Sequence, residues 1–123
     1  MVLGSGHKSI AYTIDNPQIL PYVQIPHFPI PTAIGHGREL VFGQVHGKNI
    51  LAFTGRIHFF EGYRSFFHNF IGFVSAFLGC RLIISTNSCG SMRNDLRIGD
   101  FMVISDHFNL SHRPLLNGIL ILS

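Results

Sequence analysis

Five of the chain's six prolines stand between positions 17 and 31, at Pro17, Pro21, Pro26, Pro29 and Pro31. A proline ring removes a backbone donor and clashes with the preceding turn, so neither a helix interior nor a central strand fits there. Residues 17 to 35 are therefore expected to form an irregular loop wrapped over a core that other segments build. The loop ends at Gly35-His36-Gly37-Arg38, a flexible turn that presents an imidazole.

Regular structure is expected on either side of it. Glu39 to Val45 and Asn49 to Phe53 read as strands joined around His46-Gly47-Lys48 in a hairpin. The second strand runs into Thr54-Gly55-Arg56-Ile57-His58-Phe59-Phe60-Glu61-Gly62-Tyr63. Extended backbone there turns Arg56, His58 and Phe60 to one face. A fixed cation, a titratable ring and an aromatic platform suit a ligand with an anionic part and a flat part. The competing reading is a strand end with a solvated Arg and a packed Phe.

From Arg64 to Gly79 the residues Phe66, Phe67, Phe70, Ile71, Val74, Phe77 and Leu78 follow helical spacing. Ser65 is the expected N-cap and Gly79 the stop. Phe73 widens the apolar stripe, which predicts a buried helix. Short buried strands are expected over 81–85 and 101–105. Each precedes polar residues, Thr86-Asn87-Ser88-Cys89-Gly90-Ser91 and Asp106-His107-Phe108-Asn109-Leu110. Open α/β sheets place ligands at such strand ends. At the start, Met1-Val2-Leu3 leads into Gly4-Ser5-Gly6, either a plain turn or a loop whose N–H groups approach an anion. The apolar stretch from Leu115 to Ser123 reads as a fold cut short.

Strands alternating with a buried helix indicate one α/β domain over 1–123, with a mixed β-sheet flanked by helices. Charged residues make up only 12% against 46% hydrophobic, and mean hydropathy is +0.32. A free-standing domain carries about 25% charge, so the apolar surface is expected to be covered in an oligomer or a larger body. The net charge of +3 is spread over isolated basic residues, which gives nucleic-acid binding little support. Cys80 and Cys89 lack a disulfide framework, so reduced thiols in the cytoplasm are expected. No apolar run is long enough for a bilayer, so no membrane partner is expected. The histidines are spaced too irregularly for a structural zinc motif.

Taken in order, Gly4-Ser5-Gly6, Gly35-His36, Gly55 to Tyr63, Thr86 to Gly90, Gly99-Asp100 and Asp106 to Leu110 resemble the trimeric purine nucleoside phosphorylases. The resemblance runs from about residue 2 to residue 116. It implies a three-layer nucleoside phosphorylase-like fold, incomplete here, and phosphorolysis of a purine nucleoside to the free base and ribose 1-phosphate. By position it implies that Ser5, His36, Arg56 and the backbone N–H of Ser88 hold phosphate. It also implies that His58 is catalytic and orients the phosphate, and that Phe60 stacks on the ribose. Glu61 is expected to fix a neighbouring histidine. No cofactor is implied, inorganic phosphate being a co-substrate; a homo-oligomer, a trimer in the family, is.

The sequence departs from the family in several places. His7 and Lys8 follow Gly6, Glu39 follows Arg38 near the phosphate loop, and Asn87-Ser88-Cys89-Gly90-Ser91 leans towards the methylthioadenosine phosphorylase branch. Family members are roughly twice as long, and their base-reading residues fall beyond this chain. The alternative expectation is thus a non-catalytic remnant that binds phosphate or joins other subunits.

Overall fold

Three antiparallel strands, β1 (Asp15–Pro21), β2 (Glu39–Val45) and β3 (Lys48–Phe53), organise the molecule. In the computed structural model, which describes residues 1–110, they lie in the order β1-β2-β3. Leu40 of β2 and Leu51 and Phe53 of β3 face one cluster with Val2, Tyr22 and Phe28. Their neighbours Val41, Ile50 and Ala52 face the other, with Leu3, Ala11 and Ile14. A period of two thus feeds two cores from one sheet.

The sheet continues beyond β3 with parallel neighbours. Val2 bridges both Phe53 and Ser85 in parallel. Phe53 N–H donates to Met1 O and Leu3 N–H to Phe53 O, both at 2.9 Å, while Val2 N–H donates to Ile84 O at 2.7 Å. The sheet is therefore mixed. A 3-10 helix at Lys8–Thr13 brings Ala11 to one face, and α2 (Phe70–Phe77) brings Phe70, Ile71 and Val74 to the other. This is the α/β, helix-flanked arrangement expected from the sequence.

Several expectations need correction. The proline segment opens with a strand: β1 contains Pro17 and ends at Pro21. Among the described residues it pairs only with β2, as an edge, and its register shifts between Asp15 and Gln18. An edge strand with a bulge tolerates missing donors. The single helix is two, α1 (Ser65–His68) and α2, broken at Asn69; Ser65 opens α1 after Arg64 and makes no capping bond. Gly79, at φ +77°, does end the helical run. Nor is the helix buried all round, since Phe66, Phe77 and Leu78 are exposed. The segment 81–85 contributes one bridge at Ser85 in place of a strand, and Leu82 to Ile84 face outward.

A second compact unit begins at Cys89. Its residues 101–105 form no strand and are exposed, because an apolar run needs a ladder partner and none pairs with it among the described residues. The Arg93 guanidinium holds Asp95 bidentately at 2.9 and 2.6 Å, and Asp100 accepts the Arg97 N–H at 2.8 Å. His107 N–H donates to the Asp106 carboxylate at 2.8 Å. The expected apolar tail from Leu115 lies outside the described residues. Among the described residues, no helix is long and apolar enough to cross a membrane.

Candidate functional site

Buried Thr54, at the end of β3, sets the geometry. Its hydroxyl donates to Glu39 O and accepts from Glu39 N–H, both at 3.0 Å, and its carbonyl accepts Gly37 N–H at 2.9 Å. These bonds press the 36–38 turn against the chain leaving β3. The backbones approach so closely that a Cβ on Gly55 would collide with Gly37 O and come within 2.9 Å of His36 Cβ. Glycine is needed there for space. Tyr22, packed beneath, closes the junction with a 2.9 Å hydroxyl bond to Gly55 O.

His36 is fixed by this junction. Arg56 N–H donates to His36 Nδ1 at 3.2 Å, which leaves the neutral ring's hydrogen on Nε2. That nitrogen lies 3.4 Å from Ser5 Oγ and 2.9 Å from His58 Nε2. His58 crosses His36 edge-on with centroids 4.8 Å apart, and stacks on Phe60 at 5.1 Å and 9°. Ser5, Thr32, Ala33, Ile34, His36, His58 and Phe60 together line an open cleft of about 460 Å³.

The cleft is rich in hydrogen-bond donors. Glu61, the nearby carboxylate, is already occupied. Its Oε1 accepts His58 N–H at 2.6 Å, and its Oε2 accepts both the N–H and, at 2.7 Å, the hydroxyl of Thr32. Burial alone would raise the Glu61 pKa, but these donors and the His58 imidazole together hold it below the ordinary carboxylate value. Burial pushes the His36 pKa down, and the neighbouring His58 and Arg56 charges add to that. Glu39 lies outside the lining, and its carboxylate takes the Tyr12 hydroxyl.

The residues singled out from the sequence fall into two groups. Ser5, His36, His58 and Phe60 meet in the cleft, with Glu61 behind His58. The other group lies on the strand edge beside it. Arg56 leaves an irregular segment, not a strand, and its Nη1 donates to Ser85 Oγ at 3.3 Å and to Thr86 O at 3.1 Å. The Thr86 hydroxyl in turn accepts Gly4 N–H at 3.0 Å, tying that edge to the Ser5 loop. Ser88, two residues on, is exposed and is not a wall of the cleft. The sequence reading missed Thr32, Ala33 and Ile34, which form one wall. The available signal was a polar residue closing the proline run just before Gly35-His36. Among the described residues, no group of three or more His, Cys, Asp or Glu is placed to hold a metal.

Comparison with known proteins gives consistent matches. The phosphorylase superfamily model matches residues 1–118. Purine nucleoside phosphorylase 1 of Bacillus subtilis is 40% identical over 117 residues, 94% of this chain and 43% of that protein. The Rattus norvegicus purine nucleoside phosphorylase is 36% identical over 110 residues, 89% of this chain and 38% of that one. Among solved structures, the Schistosoma mansoni purine nucleoside phosphorylase in complex with inosine superposes with a TM-score of 0.83 at 28% identity. That superposition covers 96% of this chain and 42% of the other. The chain thus spans less than half the length of each relative.

Proposed function

Since this chain belongs to the phosphorylase superfamily, we propose that it carries the oxyanion and sugar half of a purine nucleoside phosphorylase site. In that reaction phosphate displaces the base of a purine nucleoside, giving free base and ribose 1-phosphate. The observation that carries the reading is the fixed His36 tautomer, whose Nε2–H faces Ser5 Oγ and His58 Nε2 inside one cleft. A dianion needs converging donors and a fixed cation, with no competing carboxylate. Ser5 and His36 offer donors from within the cleft, Arg56 and the backbone N–H of Ser88 are assigned the cation and a further donor from the strand edge beside it, and Glu61 has both oxygens engaged. His58 orients the attacking phosphate, and Phe60 offers its ring to the sugar. The bound phosphate then offsets the positive charge that develops on the sugar as the glycosidic bond breaks.

The reaction needs no cofactor beyond phosphate as co-substrate. The free thiols of Cys80 and Cys89 favour a cytoplasmic protein, and the exposed apolar residues favour a homo-oligomer, a trimer by family resemblance. A second reading is favoured by the exposed apolar side chains of Phe77, Leu78 and Leu82. In it the chain binds phosphate or joins longer subunits without turning over. Purified protein incubated with inosine separates the two readings. Phosphate-dependent release of hypoxanthine supports the enzyme, whereas phosphate binding without release supports the second reading. Neither binding nor release would overturn the enzyme reading and the phosphate-binding form of the second.

A further inference from the structure

Glu61 joins the two walls of the cleft, and Thr32 is the residue through which it does so. One wall is the 32–36 segment, the other the 58–60 segment. Glu61 Oε1 holds the backbone of the second at His58, while Oε2 receives two bonds from Thr32 on the first. Between Thr32 and the fixed His36 the first wall is thinly held: Ile34 is 99% exposed, and His36 N–H reaches Ala33 O at 3.4 Å. Behind it, Arg38 Nε donates to Pro31 O at 3.0 Å and Tyr63 OH to Ile30 O at 2.9 Å, so the wall is anchored up to Pro31. Thr32 is the first residue past that anchor.

We infer that Thr32 is a positioning residue, whose fork to Glu61 sets how closely the 32–34 wall meets His58 where the oxyanion is received. The inference rests on the proposed phosphate site. It differs from a purely structural role in one respect. Thr32 is exposed and packs in neither core cluster, so removing its hydroxyl leaves the fold intact while the cleft walls drift. Catalytic geometry is sensitive to displacements of this size.

Three proteins test it: wild type, Thr32→Val, which keeps the branched shape without the donor, and Thr32→Ser, which keeps the donor. Each is titrated with inorganic phosphate by calorimetry and melted without phosphate. The expected result is phosphate affinity about three- to tenfold weaker in Thr32→Val, the scale of one ordinary hydrogen bond. Thr32→Ser should bind within about twofold of wild type, with all three melting points close together. Unchanged affinity in Thr32→Val overturns the inference, as does a weakening matched by an equal loss of thermal stability in both variants. Wild type that binds no phosphate overturns the site itself, and this inference with it.

Discussion

His36 carries the tightest constraints of any residue in the cleft, because its Nδ1 must accept while its Nε2 donates. Protonation would place a hydrogen on Nδ1 against the Arg56 N–H and cost that bond. Burial and the neighbouring charges accordingly hold its pKa below the ordinary 6.5. The unfolded chain therefore takes up a proton at His36 before the folded chain does. Stability from this group is intact above about pH 6.5 and falls as pH drops from there towards the folded value. Urea unfolding from pH 8 to 5 should show a steeper loss for wild type than for His36→Asn; parallel curves would remove His36 as the cause. The role of Thr32 was not legible at this scale, because its partner Glu61 stands 29 positions away and only folding pairs them. That His36 and His58 line the cleft was legible, since glycine turns and strand ends expose the side chains beside them, whereas the sequence did not place Arg56 on the neighbouring strand edge.

At the scale of elements, the β2–β3 hairpin was visible in sequence to within a residue, and the strand hidden among prolines was not. Alternation marks a strand with one face covered and the other in water. β1 is exposed almost throughout, so its residues carry no such pattern, and its pairing comes from β2 alone. The Phe-rich helix failed in the opposite way: spacing gave its position, but apolar residues all round were taken for burial, and Phe77 is 93% exposed. The hairpin turn allows a direct test. His46 and Gly47 both have positive φ, 49° and 72°, in a two-residue connection closed by Val45 and Lys48. Asparagine adopts that conformation more readily than histidine. His46→Asn should therefore stabilise the chain by about 0.5 kcal/mol in urea unfolding. A loss of stability would show that the histidine side chain makes a contribution of its own.

For the molecule as a whole, the low charge content read from the sequence has a structural counterpart. Phe66, Phe77, Leu78, Leu82, Ile83 and Ile84 are all exposed on the first compact unit. Surfaces of this kind associate in water. Light scattering on the purified chain should give a mass above 13.8 kDa that rises with concentration; a monodisperse monomer at all concentrations would contradict this. The fold class was legible because the two core clusters follow strand period and hairpin order. The apolar runs at 81–85 and 101–105 were misjudged because hydrophobicity does not name a ladder partner. The central claim is that residues far apart in sequence gather one oxyanion. Calorimetric titration of inorganic phosphate into wild type and into Arg56→Ala tests this most directly. Wild type should bind phosphate saturably, and Arg56→Ala at least about tenfold more weakly through loss of the charged donor. Phosphate that fails to bind, or that binds both proteins equally well, would contradict it.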